Sequence, residues 1–193
     1  GDVVDIDAAE HMACALFGNG KVMCWGRGYL GDNVLRNFGG SGGGSNPVYF
    51  KADNKPITQI DVNGFGACVV TTTKDVYCTD TYAGSSYGGV DQYVQKPGVI
   101  GGSVERVAKG DGYACAVVTS GDVYCWGDGG EYGSGTNKRP FFGSGTQYQG
   151  RTNTPVLAAL IPPNPLKLEA GNKATCATYG TGSVSCWGGQ SFS

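Results

Sequence analysis

Hydrophobic and polar positions alternate with a period of two in several short segments of the chain, and glycine-rich turns separate these segments. Such alternation is typical of β-strands that bury one face. Four of the segments share an aliphatic residue that lies eight positions before a cysteine. They are VVDID around Ile6, TQIDV around Ile60, ERVAK around Val107 and LKLEA around Leu168. The pattern predicts one short strand at the start of each of four repeats.

A cysteine-containing unit follows each of these strands. Its copies are ACALFGNGKVMCWG from Ala13, ACVVTTTKDVYCTD from Ala67, ACAVVTSGDVYCWG from Ala114 and TCATYGTGSVSCWG from Thr175. Each copy predicts a β-hairpin with a three-residue loop, at residues 18–20, 72–74, 119–121 and 180–182. Such loops commonly end in a residue with left-handed backbone geometry, which favours glycine. Glycine occupies that position in three copies, and Lys74 occupies it in the second.

Nine residues separate the two cysteines of every copy, and all eight cysteines are used in this way. Opposed residues in an antiparallel hairpin lie close enough for a disulfide. We therefore expect the bonds Cys14–Cys24, Cys68–Cys78, Cys115–Cys125 and Cys176–Cys186. The alternative is metal binding, but the chain has one histidine and no closely spaced CxxC pair.

Long, glycine-rich connections follow the hairpins, and three of them lead to proline-led apolar segments at 47–50, 97–100 and 155–157. Each segment predicts a further edge strand. We interpret the GGSGGGS run at 39–45 as a native flexible loop. The repeats then span 1–55, 56–101, 102–164 and 165–193 of a single domain, 1–193. The last repeat ends seven residues after Cys186, so we expect it to lack its outer strand.

The net charge of −2 gives no electrostatic attraction for nucleic acid. The longest apolar run, residues 156–161, is too short to cross a bilayer, so we expect no membrane insertion. Fully paired cysteines indicate an oxidising compartment. We therefore expect a mature secreted or cell-surface protein whose leader was removed.

The order of strand, hairpin with Val two residues before its second cysteine, Trp-Gly and glycine-rich loop resembles the repeat of the regulator of chromosome condensation family. The AC and CWG elements are similar to its disulfide-bearing secreted branch, found in bacterial surface proteins and Crinkly-type plant receptors. The resemblance implies an all-β, propeller-like array of four disulfide-stapled antiparallel repeats, forming either a small, closed or nearly closed four-bladed ring with an incomplete blade or an open arc. The GTPase and chromatin roles of the nuclear members do not carry over, since no functional residue matches.

Catalytic chemistry has few candidates in this sequence. The only histidine, His11, lies in a turn, and the cysteines are consumed as disulfides, which leaves no thiol nucleophile. Asp5 with Asp7, and Asp128 with Glu131, lack a recognised calcium-ligand spacing, and we interpret both pairs as solvated charge. We therefore expect no enzymatic activity, no metal site and no cofactor.

Aromatic residues are the remaining candidates for binding. Trp25, Trp126 and Trp187 occupy equivalent positions, where they either fill the space between blades or stack on sugars. A second set lies in the connections and could form a protein interface or pin the loops. Its members are Tyr29, Phe38, Tyr82, Tyr87, Tyr93, Tyr132, Phe141, Phe142 and Tyr148.

The sequence thus predicts a non-enzymatic, extracellular, structural or adhesive protein that self-associates, with filaments as one form, through an unpaired terminal strand edge. The alternative is a monomeric, lectin-like propeller that binds a glycan or a surface protein.

Overall fold

A computed structural model describes residues 1–32, 35–36, 46–79, 81, 97–128, 142–144 and 151–188. Within these ranges the chain forms β-strands joined by turns, arranged as four antiparallel sheets with an additional two-stranded hairpin. Each sheet corresponds to one sequence repeat, and we call the sheets blades 1 to 4. The prediction of an all-β array of four repeats is therefore confirmed.

Blades 1 and 3 have four strands, and blades 2 and 4 have three strands in the described ranges. Blade 1 contains β1 (Val3–Ala8), β2 (Met12–Phe17), β3 (Val22–Gly26) and, after the small hairpin of β4 (Gly28–Tyr29) and β5 (Leu35–Arg36), β6 (Val48–Tyr49). Blade 2 contains β7 (Ile57–Asn63), β8 (Gly66–Thr71) and β9 (Val76–Cys78). Blade 3 contains β10 (Val104–Lys109), β11 (Tyr113–Val118), β12 (Val123–Asp128) and β13 (Arg151–Leu157). Blade 4 contains β14 (Lys167–Ala170), β15 (Ala174–Thr178) and β16 (Val184–Gly188).

The hairpin loops have the predicted length and geometry. In blade 1 the Phe17 amide donates to the Lys21 carbonyl at 2.9 Å, which closes a loop of three residues, and the other three hairpins have the equivalent bond. The last loop residue has positive φ in every copy: Gly20 (77°), Lys74 (62°), Gly121 (87°) and Gly182 (80°). Lys74 therefore adopts the same left-handed geometry as the glycines, at a steric cost that glycine avoids.

All four predicted disulfides are present, with Cα atoms 4.0 to 4.1 Å apart. In each hairpin the two cysteines are directly opposed across the strands, as in the pair Cys115 and Cys125. Nine intervening residues are therefore enough for the chain to reverse direction and to place the second cysteine opposite the first. The disulfide interpretation is confirmed.

The proline-led strands are confirmed in blades 1 and 3, as β6 and β13. The third prediction is wrong, because residues 97–100 form no strand. The Gly98 amide instead donates to the Asn153 carbonyl of blade 3 at 2.8 Å, and Ile100 packs on the cluster between blades 2 and 3. This segment follows the neighbouring blade and does not extend its own sheet.

The blades stack face to face, and alternation along the strands gives each blade two different faces. The forward face carries the disulfide and packs on the next blade, as Cys68 and Val70 of blade 2 do against blade 3. The rear face carries the aliphatic residue of the inner strand and packs on the preceding blade, as Ile60 does against blade 1. The core thus consists of three layers between blades.

Candidate functional site: the outer faces of the end blades

Each internal interface buries the same set of apolar groups. The disulfide cysteines of the first three blades have no exposed surface. The valine two residues before the second cysteine is 1 to 2% exposed at Val22, Val76 and Val123. Opposite these groups lie the rear-face aliphatic residues Ile60 and Val107, with exposures of 5% and 1%. Apolar burial of this kind is the main force that holds the blades together.

Polar bonds between inner strands accompany this packing. The Asp7 carboxylate of blade 1 accepts the Val62 amide of blade 2 at 2.6 Å. At the equivalent position of blade 2, Asp61 accepts the Lys109 amide of blade 3 at 3.1 Å. A carboxylate at this forward-face position therefore bonds to the inner strand of the next blade. Our interpretation of Asp7 as a solvated charge is corrected, because it satisfies a backbone donor between blades.

The position two residues before these carboxylates also carries side chains that link neighbouring blades. Gln59 bonds both backbone groups of Val107, donating to its carbonyl at 3.0 Å and accepting from its amide at 3.2 Å. At the equivalent position of blade 3, Arg106 donates to the carbonyls of Pro165 and Leu166 of blade 4 at 2.6 and 3.0 Å. These bonds fix the register of neighbouring inner strands.

The inner strands create an electrostatically unusual environment. The pKa of Asp61 is raised to about 7, chiefly by burial and also by the nearby charges of Asp7 and Glu169, although the hydrogen bond from the Lys109 amide and the Lys109 charge lower it. Burial also raises the pKa of Asp7. Tyr113 is buried between blades 3 and 4, where its hydroxyl lies 3.1 Å from the Thr175 hydroxyl, and its pKa is raised by burial to about 12.

The forward face of blade 4 differs from the other three because, in the part of the chain that the structure describes, no blade packs on it. Val184, the equivalent of Val123, is 61% exposed. Cys186 is exposed and Cys176 is partly buried, whereas the other six cysteines are fully buried. Glu169 occupies the position of Asp7 and Asp61, is exposed, and pairs with Lys167 of its own strand at 2.8 Å.

The rear face of blade 1 is uncovered in the same way. Ile6 is 63% exposed, whereas its equivalents in the other three blades are nearly buried. Val3 is 54% exposed, against 5% for its equivalent Ile57. Trp25 also lies on this face and is half-buried. The four blades therefore form an open arc, and each end presents one half of an inter-blade interface.

The candidate tryptophans do not share one environment. Trp126 is fully buried between blades 2 and 3, and Trp187 is 7% exposed between blades 3 and 4. Thr79 replaces tryptophan in blade 2, where its hydroxyl donates to the Tyr29 carbonyl at 2.8 Å. Of the tryptophans, Trp25 alone has substantial exposure, because it lies on the open face of the arc.

Two of the candidate loop aromatics lie in the described ranges. Tyr29 is half-buried in β4, where its amide donates to the Phe65 carbonyl of blade 2 at 2.7 Å. Phe142 is fully buried in the cluster between blades 3 and 4. The remaining candidates fall outside the described residues, as does the glycine-rich run at 39–45. These remaining aromatic candidates are Phe38, Tyr82, Tyr87, Tyr93, Tyr132, Phe141 and Tyr148.

The candidate catalytic and metal-binding residues are dispersed. The His11 ring stacks on Phe65, with centroids 4.2 Å apart and an interplanar angle of 9°. Asp5 accepts the amide of the adjacent Ile6, and Asp128 lies at the end of β12. Glu131 is outside the described residues. Across the described ranges, no three metal-ligating side chains come together.

The backbone geometry explains why glycine follows tryptophan in the Trp-Gly motif. Gly26, Gly127 and Gly188 have φ of 113°, 109° and 101°, which L side chains rarely adopt. A Cβ on Gly127 would also lie 2.5 Å from the Gly112 carbonyl oxygen. The strand backbones approach closely at this point, so only glycine fits.

Similarity to known proteins now identifies the fold. The sequence model of the regulator of chromosome condensation (RCC1) repeat matches residues 104–134, which include most of blade 3. Human WBSCR16 superposes with a TM-score of 0.75 at 18% identity, covering 97% of this chain and 48% of that one. The chain has an RCC1-like β-propeller fold. Its described residues contain no helix that is both long and apolar enough to span a membrane.

Other solved structures agree with the RCC1-like fold. Yeast RCC1 (Prp20), solved with Kap60, gives a TM-score of 0.70 at 18% identity, covering 96% of this chain and 42% of that one. The Crinkly ectodomain of the Arabidopsis thaliana receptor kinase ACR4 gives 0.53 at 16% identity, covering 99% and 52%. The RCC1-like chain thus spans about half the length of these structures. No curated protein sequence matches it significantly.

Proposed function

We propose that this RCC1-like propeller is a non-enzymatic, extracellular, structural or adhesive protein that works by associating with copies of itself. The observation that carries the proposal is the exposed apolar surface at both ends of the arc. Val3, Ile6 and Val184 are 54 to 63% exposed, although the same repeat positions are almost fully buried inside the arc. Exposed apolar residues that belong to a repeated interface favour association over solvation.

The disulfides support the extracellular location. All eight cysteines are paired, and such bonds persist in oxidising compartments and are rare in the cytosol. They also support the absence of thiol catalysis, and the stacking of His11 on Phe65 gives that histidine a packing role. The outer strand of blade 4 in the described ranges, β16, offers a backbone edge as a further route to association.

A protein ligand is the second candidate. Yeast Prp20, which has a similar fold, forms a complex with Kap60. We extend to this chain only the class of partner, a folded protein, because a shared propeller does not transfer a specific function. A lectin role has weaker support, since two of the three tryptophans are buried between blades. Quenching of Trp25 fluorescence by added glycans would revive that role.

Sedimentation velocity over a wide concentration range tests self-association. We expect the sedimentation coefficient to rise with protein concentration in buffer without reductant. Electron microscopy of the concentrated sample then distinguishes closed particles from filaments, because a head-to-tail contact gives either, according to its rotation. A monomer at every concentration would refute the proposed function.

A further inference from the structure

We propose that copies associate head to tail, with the forward face of blade 4 of one copy packing on the rear face of blade 1 of the next. This inference rests on the proposed self-association and specifies its contact. The contact would be a fourth instance of the interface that occurs three times inside the arc. The occupant of each open face is thus a second copy of this chain.

The apolar groups of the two open faces are complementary by repeat equivalence. Inside the arc, a forward-face valine and disulfide pack on the rear-face aliphatic residue of the next blade, as Val123 and Cys125 do on Leu168. The open forward face presents Val184 and Cys186, and the open rear face presents Ile6 and Val3. Stacking of the copies would remove all of these groups from water, as at the internal interfaces.

The polar groups are in register for the same contact. Asp7 and Asp61 each accept the backbone amide of the next blade, at Val62 and Lys109. Glu169 occupies the equivalent position in blade 4, and the equivalent amide in blade 1 belongs to Ala8. In the docked pair, the Glu169 carboxylate would accept the Ala8 amide of the next copy and exchange its exposed pairing with Lys167 for that bond. The Ala8 amide would in turn exchange its present bond to the Asp7 carboxylate, at 2.9 Å, for the bond to Glu169.

Two further features favour a second copy as the occupant. The two open faces differ from each other, so the contact is heterologous, and each copy contributes one half of it. Two copies would stack eight blades, which is within the usual range of propellers.

Face-specific variants test this contact. Val184→Glu places a charge on the forward face of blade 4, and Ile6→Glu places one on the rear face of blade 1. Both side chains are exposed, so each variant keeps its fold, which circular dichroism and the unfolding midpoint would verify. Val99→Glu, at a residue that is 93% exposed on neither end face, is the matched control. We expect each face variant alone to weaken self-association at least about a hundredfold, and the control to leave it unchanged.

Mixing the two face variants distinguishes a head-to-tail contact from other contacts. Each variant keeps one intact face, so an equimolar mixture would form one-to-one dimers that grow no further, although each variant alone stays monomeric. That result supports the inference. If the wild-type protein self-associates and the face variants do so equally well, the contact lies elsewhere and the inference fails, although the proposed function stands. A wild-type monomer at all concentrations overturns both.

Discussion

The matched substitutions Val123→Ala and Val184→Ala would measure how much stability the stacking of blades contributes. Both residues begin the second hairpin strand of their repeat and lie two residues before the second cysteine. The intrinsic change in strand propensity is therefore the same in both cases. What differs is coverage, since Val123 is 2% exposed and Val184 is 61% exposed.

The expected costs follow from this burial. Val→Ala removes about two methylene equivalents, which corresponds to about 1.6 kcal/mol when the side chain is fully buried. The cavity left between blades 3 and 4 raises the cost of Val123→Ala to about 2 to 3 kcal/mol. For Val184→Ala, the smaller buried fraction gives a cost below about 0.7 kcal/mol. The two variants should therefore differ by about 2 kcal/mol.

Urea unfolding of dilute, fully oxidised protein, monitored by tryptophan fluorescence, provides the assay. Equal m-values would show that the variants change stability and not the surface exposed on unfolding. If both variants lose the same stability at low protein concentration, the valine acts within its own hairpin. That result would refute the prediction that blade stacking supplies its contribution to stability. At concentrations where copies associate, Val184→Ala should in addition weaken association.

Three further predictions concern the disulfides, the inner strands and the glycines with positive φ. A small thiol should reduce Cys176–Cys186 first, because the other disulfides are fully buried. Alkylation of the released thiols followed by mass spectrometry measures the rate for each disulfide, and equal rates would contradict this prediction. The pKa of Asp61 rises from 3.8 to about 7 on folding, so the folded state retains a proton that the unfolded state releases. The contribution of this group to the free energy of unfolding is therefore fully present below about pH 4 and is lost as the pH rises through 7. This loss amounts to at most about 4 kcal/mol, and Asp61→Asn should remove most of it; an unchanged pH profile of the unfolding free energy would contradict this assignment. Gly127→Ala should destabilise the fold far more than Gly182→Ala, because a Cβ at residue 127 would clash with backbone atoms, whereas a Cβ at residue 182 meets nothing within 4 Å. Similar losses of melting temperature for the two variants would show that only the positive φ matters.

The hairpins could be predicted from sequence because their determinants are local. A fixed spacing of nine residues, strand alternation and a glycine at the end of the loop together determine the turn, the register and the disulfide. Even Lys74 conforms, because the two strands and the disulfide hold its backbone in the left-handed region. The wrong strand at 97–100 shows the limit of local reasoning, since a bond to Asn153 of the neighbouring blade decides the path of that segment.

The inter-blade carboxylates carry a signal in the sequence, although their structural role does not follow from it. Asp7, Asp61 and Glu169 share one repeat position, and this recurrence was a usable signal. Of the three, only Asp7 carries a prediction from sequence, a solvated charge, because nothing in a single strand shows that the backbone of the next blade lies opposite. The fully buried Lys109, whose ammonium donates to the Gly110 carbonyl at 2.6 Å, gave no such signal at all.

The sequence alone determined the repeat, its antiparallel strands, its disulfide staples and the resemblance to an RCC1-like propeller, since each depends on spacing and alternation within about thirty residues. Only the tertiary structure decided which copies of the repeated valine and aliphatic residue are buried. Val123 and Val184 have the same position in the motif and differ because one has a neighbouring blade in front of it. Exposure depends on what packs against a residue, and the motif does not encode this.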